Sequence, residues 1–150
     1  PRPAACRRRR GSRAGRAAAL RGGRGRGGVA IVGDEGAVTI EDREALVGVV
    51  AGVNVKLAKC GGIAPAKAML ARARELGFRT FLGCMEETTV GIAASAAVAS
   101  LADWVDLDGN LLLADDPFDG LVLGEDCRWN LSAAPGLGVG RKADRGRSAD

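Results

Sequence analysis

With 150 residues and 47% hydrophobic side chains, the chain can bury one core, but it is too short for a complete eight-stranded (β/α) barrel of about 250 residues. Its formal charge of +4 belongs to one end: residues 1–28 hold 10 of the 22 basic residues and none of the 18 acidic ones, so the remainder, with 12 against 18, is acidic. No apolar run is long enough to span a bilayer, no histidine exists to complete a zinc site, and Cys6, Cys60, Cys84 and Cys127 form no C-x-x-C pair, so a soluble, cytoplasmic protein with reduced thiols and no membrane partner is expected.

Residues 1–28 take 25 of their positions from Arg, Gly, Ala and Pro and show no apolar period, which predicts a disordered segment. Such an arm can grip phosphate backbones with an affinity that falls steeply in salt. It is no targeting helix, because glycine breaks every turn. The same four residue types are those that GC-rich codons encode, so a shifted reading frame or wrongly assigned start accounts for the segment more economically. The lack of interleaved aromatic residues argues the same way against nucleic acid.

From Val29 the pattern alternates between strand and helix. Val29 to Gly33 is a short β-branched run; Thr39-Ile-Glu-Asp42 has the form of a helix start, and Ala45, Leu46, Val49 and Val50 follow at helical spacing. Val53 to Leu57 reads as the second strand. A helix follows, with Pro65 in its first turn, Met69, Leu70, Ala73 and Leu76 on its buried face, and Gly77 at its end. Arg79 to Gly83 is the third strand, Thr88 to Leu101 the third helix, and Asp103 to Leu107 the fourth strand. Strand centres near residues 31, 55, 81 and 105 recur every 24 to 26 residues, which predicts a parallel sheet covered by crossover helices. Gly33-Asp-Glu-Gly36 is acidic and would repel the phosphate that a doubly wound sheet cradles after its first strand, so a barrel is favoured. Leu111 to Leu113, the turn Ala114 to Gly120, Leu121 to Leu123 and Cys127 to Leu131 around Gly124-Glu-Asp126 read as a terminal β-hairpin. Residues 29–140 are thus expected to form one partial barrel domain, with residues 141–150 a disordered tail.

In a parallel barrel the strand ends converge on one mouth, and the charged residues at those ends are the candidates for chemistry. Asp34, after the first strand, has the hard oxygen donors that Mg²⁺ takes, though a lone Asp there is also a common turn former. Lys56, at the end of the second strand, can act as a general base, and Lys59 is the alternative if the register differs. Asp106 and Asp108, two apart on a strand and about 6.5 Å from each other, would share a face and suit an ammonium group or a metal. Cys84, with Cys60, falls just past a strand end and reads first as a small space-filling residue.

Together Asp34-Glu35-Gly36, Asn54-Val-Lys-Leu-Ala-Lys-Cys-Gly-Gly-Ile63, Gly83-Cys-Met-Glu86 and Val105-Asp-Leu-Asp-Gly-Asn-Leu-Leu-Leu-Ala-Asp-Asp-Pro-Phe118 resemble the C-terminal barrel segments of the enolase superfamily. Within it they are most similar to dipeptide epimerases of the L-Ala-D/L-Glu type, over roughly Val29 to Val139. The resemblance implies an α/β fold, the C-terminal half of a (β/α)8 TIM-type barrel with about four βα units. It implies an isomerase in which a carboxylate-bound Mg²⁺ stabilises the enolate formed when one lysine removes the proton α to a carboxylate and a second lysine returns it on the other face. On that resemblance Asp34 is the third metal ligand, Lys56 the acid/base on one face, Asp106 and Asp108 the pair for the dipeptide's α-ammonium group, and Cys84 and Met85 pocket wall. The other lysine and the first two ligands would come from sequence before Val29, and residues 1–28 contain no Asp, Glu or Lys. The chain alone is therefore expected to be inactive, with open strand edges that favour aggregation, a partner or a homo-oligomer. Glu86-Glu87 adds negative charge that would favour a cationic dipeptide. Two other classes stay open: a muconate cycloisomerase or o-succinylbenzoate synthase type, whose substrates lack an ammonium group for Asp106 and Asp108, and a nucleic-acid binder, against which the acidic body argues.

Overall fold

The structure, a computed structural model, describes residues 30–34 and 46–142. Four strands form the main sheet: β1 (Val32–Gly33), β2 (Gly52–Lys56), β3 (Arg79–Gly83) and β4 (Trp104–Asp106). They lie in chain order, β1-β2-β3-β4, and every neighbouring pair is parallel. That order decides between the two architectures, because a doubly wound sheet reverses its strand order at a switch point whereas a (β/α) barrel adds each strand on the same side of the last.

Among the described residues three α-helices follow the strands, α1 (Leu57–Cys60), α2 (Ile63–Glu75) and α3 (Thr89–Ala96). Helix α2 buries Ala66, Met69, Leu70 and Ala73, a stripe spaced three, four and seven residues along one face. Under that stripe lie Val53 and Val55 of β2, both 0% exposed: Val55 packs in one buried cluster with Ala66, Met69, Leu70, Leu82 and Ile92, and Val53 in a second with Ala73 and Phe78. Strand alternation then turns Asn54 and Lys56 to the opposite face. Helix α2 ends as expected at Gly77, where φ is +80°; Gly77 N–H donates to Arg74 O at 2.9 Å and Phe78 N–H to Ala73 O at 3.0 Å. This paired capping needs a left-handed residue, for which glycine carries no Cβ penalty.

Several boundaries differ from the sequence reading. Leu57, expected to end a strand, opens α1, which stops after one turn because Gly61 and Gly62, with φ of +96° and +113°, both donate to Leu57 O at 3.0 Å. The third helix ends at Ala96 and tightens into a 3-10 turn at Ala99–Leu101, with bonds such as Val98 N–H to Ser95 O at 3.1 Å. The expected start of the first helix, Thr39 to Ala45, lies outside the described residues, and Leu46 to Val49 form a turn in which Val49 N–H donates to Leu46 O at 2.9 Å. Residues 1–28, Val29 and 143–150 lie outside them as well.

The terminal segment is more than one hairpin. Leu111, expected in a strand, falls in a 3-10 turn, Gly109–Leu112. The hairpin is β6 (Leu121–Leu123) against β7 (Trp129–Leu131), joined through Cys127 at φ 60°. Trp129 Nε1 donates to Leu107 O at 2.8 Å and pins this hairpin beside the end of β4. A second antiparallel pair, β5 (Phe118–Asp119) with β8 (Gly140–Arg141), was not foreseen. Arg141 therefore belongs to a strand and not to a disordered tail, and Lys142 N–H still donates to Pro117 O at 2.9 Å. The pairing joins residues more than 20 positions apart, a contact that local sequence pattern does not encode. No helix among the described residues is long and apolar enough to cross a membrane.

Candidate active site

Because β1 to β4 run the same way, Asp34, Lys56, Cys84 and Asp106 stand at one rim of the sheet, its C-terminal edge. The register puts Lys56 beside Gly83 and Gly83 beside Asp106, so these three positions share one level and one face. Lys56 is only 5% exposed. A buried ammonium requires a partner, and it has one: Nζ lies 3.2 Å from Asp34 Oδ2. The other carboxylate oxygen, Asp34 Oδ1, accepts from Asn54 Nδ2 at 3.2 Å. Asn54 is the residue that the sequence reading missed. Its signal was there, since it sits two positions before Lys56 in an otherwise apolar strand and must therefore share its face. Lys59, the alternative base, lies past the strand end in α1 and is half-buried.

The two aspartates of the Asp106-Leu-Asp108 motif do not share a strand. Strand β4 ends at Asp106, and Asp108, with φ −106° and ψ 2°, leads into the following 3-10 turn. Both side chains are exposed, so they border the mouth as separate groups. Asp108 Oδ1 lies 4.0 Å from Cys84 Sγ. Half-burial pushes the Cys84 thiol above its ordinary value, and the carboxylates of Asp108 and Asp106 push it the same way against backbone hydrogen bonds from Gly109 and Asp108. A raised value means less thiolate at any given pH, and the thiolate is the nucleophile. Cys84 is therefore expected to be alkylated by iodoacetamide several times more slowly than exposed Cys127 at pH 8, with a rate that climbs as pH rises above 9; peptide mass spectrometry reads both rates, and equal rates would contradict this environment.

Met85 is 41% exposed at the same rim, and its carbonyl faces Gly109, where a Cβ would collide with it. Glu87 Oε1 accepts Met85 N–H at 3.0 Å and the residue is half-buried, whereas Glu86 is exposed. Behind the rim, Asp116 Oδ2 accepts Thr89 N–H at 2.6 Å at the start of α3, and Oδ1 accepts Phe118 N–H at 3.1 Å. Burial pushes the Asp116 carboxyl up, but hydrogen bonds from the Thr89 side chain and backbone and from Phe118 outweigh it and hold the group below its ordinary value. Asn110 Nδ2 donates to Thr89 Oγ1 at 3.1 Å and ties the turn after Asp108 to the same helix end. Sequence pattern did not pick out these three residues, which act by holding the loop.

Asp34 has the oxygen donors a divalent cation prefers, but Mg²⁺ demands six oxygens in near-octahedral array, of which this carboxylate supplies one or two. No group of three Asp, Glu, Cys or His among the described residues is placed to hold a metal. The described residues alone therefore do not make up a Mg²⁺ site.

Residues 12–145 match the family described as enolase C-terminal domain-like. The chain belongs to this family. Curated relatives include the L-Ala-D/L-amino acid epimerase of Flavobacterium johnsoniae, 46% identical over 109 residues, which cover 73% of this chain and 32% of the relative. The L-Ala-D/L-Glu epimerase of Bacteroides thetaiotaomicron is 38% identical over 109 residues, covering 73% and 28%. Among solved structures, a dipeptide epimerase from Cytophaga hutchinsonii complexed with Mg and the dipeptide D-Ala-L-Val superposes with a TM-score of 0.77 at 26% identity, over 89% of this chain and 38% of that one. The chain spans about a third of the length of these relatives. Family membership agrees with the four parallel strands in chain order, an arc of the enolase-type (β/α) barrel, and the named relatives are isomerases.

Proposed function

We propose that this chain supplies one face of a dipeptide epimerase site. The observation that carries the reading is the buried Lys56 ammonium, held 3.2 Å from Asp34 at the strand-end rim. In this reading Lys56 exchanges the proton on the carbon α to the dipeptide's carboxylate, acting as base toward one epimer and as acid toward the other. Asp34 anchors Lys56 and contributes one oxygen ligand to Mg²⁺, whose remaining ligands would come from outside the described residues. When bound, that ion supplies positive charge beside the substrate carboxylate. Asp106 and Asp108 take the α-ammonium group, and Cys84 and Met85 form the wall between them and Lys56. Three cysteines of the described residues are free, which fits the cytoplasmic location that belongs to this reading.

Inversion at a carbon requires a proton donor on each face, and the described residues offer a lysine on one. The purified chain is therefore expected to bind dipeptides weakly and to leave L-Ala-L-Glu and L-Ala-L-Lys unepimerised. Saturation-transfer NMR is expected to detect both peptides, with the lysyl peptide favoured by exposed Glu86, and to lose them on N-acetylation or in Asp106→Asn with Asp108→Asn. Equal binding of acetylated peptides would remove the ammonium role. Chiral chromatography that revealed D-residues formed by the chain alone would refute the single-face reading.

A further inference from the structure

Asn54 has a cost that nothing in its own packing explains. Its Nδ2 donates to Asp34, but its Oδ1 is buried with no hydrogen-bond partner among the described residues. An orphaned buried acceptor is unfavourable, because it has given up its water without gaining a partner. Native structures keep few such groups, and each calls for a reason. The neighbouring strand makes room for the amide at the one position where room is needed: a Cβ on Gly83 would sit 2.8 Å from Asn54 Nδ2 and 2.9 Å from Oδ1, so any residue but glycine would push the amide away. Asn54 also lies one level below Lys56 on the same face, and Asp34 bridges the two with its two oxygens.

We infer that Asn54 is a positioning residue: seated over Gly83, its amide fixes the Asp34 carboxylate, which in turn holds the Lys56 ammonium at the rim. The inference rests on the reading of Lys56 as the proton-transfer group, and it adds the device that aims it. A free carboxylate rotates about its Cα–Cβ–Cγ bonds, whereas one held at both oxygens presents Oδ2 to Lys56 in a single orientation. The orphaned Oδ1 follows from this arrangement, because turning the amide to satisfy its oxygen would aim lone pairs, and not N–H groups, at Asp34.

The test uses the whole chain and does not depend on turnover. Lys56 is labelled with a small acylating reagent and its rate compared with that of exposed Lys67 by peptide mass spectrometry. Asn54→Leu keeps the bulk, removes the donor and also removes the orphaned acceptor. It is expected to raise Lys56 labelling about tenfold relative to Lys67, while the thermal midpoint stays level or rises. A residue needed only for packing would show the reverse, a lower midpoint with Lys56 still protected, and that pattern would overturn the inference. Gly83→Ala, made on a different strand, is expected to expose Lys56 in the same way; unchanged labelling in both variants would also overturn it. If Asn54→Leu does not fold, Asn54→Ala gives the same comparison. Failure of the chain to bind any dipeptide would instead count against the proposed function and leave the labelling result to judge Asn54 by itself.

Discussion

On the proposed reading of Lys56 as the proton-transfer group, Lys56→Met is expected to lower dipeptide epimerisation by about 10²–10⁴-fold in an active form of the protein, the range by which a positioned acid–base group accelerates proton transfer. The two lysines of the Asn54-to-Gly62 segment differ in where the backbone puts them. Lys56 closes β2 on the face that carries Asn54, whereas Lys59 has passed into α1 and no longer follows the strand's alternation. Lys59→Met is therefore expected to change the rate by no more than about threefold. Removing the Lys56 charge also leaves Asp34 without its cation. With 20% of the Asp34 side chain exposed, water takes over part of that role, so the loss of stability stays near 1–2 kcal/mol, below that of a fully buried pair. Activity and folding are separated by Asp34→Asn, which keeps the shape, neutralises the partner and is expected to lower activity through a misplaced lysine. Steady-state kinetics beside thermal denaturation checks each variant. A Lys56→Met protein that retained its kcat while Lys59→Met lost it would transfer the role to Lys59.

The second large effect is structural and acts at the other side of the mouth. Gly109→Ala would drive a Cβ into the Met85 carbonyl and to within 3.2 Å of Cys84 Sγ. Backbone cannot swing aside as a flexible side chain can, so the strain falls on the loop that follows Asp108. Overpacking of this kind costs about 1–3 kcal/mol, and a backbone collision belongs at the upper end. A fall of roughly 10 °C in the thermal midpoint is expected. The surviving folded population should also show faster Cys84 alkylation, because the Asp108 carboxylate 4.0 Å from Sγ moves with Gly109. A midpoint within 2 °C of the parent, with Cys84 still slow, would mean that the loop has slack that these contacts do not reveal.

The neighbouring Asp116, Thr89 and Asn110 explain why such a perturbation reaches beyond one loop. Through them the turn after Asp108, the start of α3 and strand β5 share hydrogen bonds. The Asp103 carboxylate does the same work at the opposite end of the sheet, where it accepts Thr80 N–H at 2.7 Å and Thr80 Oγ1 at 2.9 Å and joins β3 to the start of β4. These backbone and side-chain hydrogen bonds hold the Asp103 carboxyl below its ordinary value.

The sequence by itself determined the repeating unit and the charged residues that stand at its strand ends. Apolar spacing at Ala66, Met69, Leu70 and Ala73, the β-branched pair Val53 and Val55, and Gly77 at a helix end are local instructions, written within a turn or two of the chain, and the structure follows them. Charged residues at strand ends were legible for the same reason, since strand length and direction follow from the same pattern. Only the tertiary structure decided what depends on neighbours distant in sequence. It joined Asp34 to Lys56 across 22 positions and brought Asn54 to Asp34 across 20. It moved Asp108 off the strand, because the backbone turns after Asp106, and it drew Arg141 into β8 beside Phe118. In each of these pairings one partner lies on another strand or beyond a whole βα unit, and periodicity along a single segment carries no information about the distance between two of them.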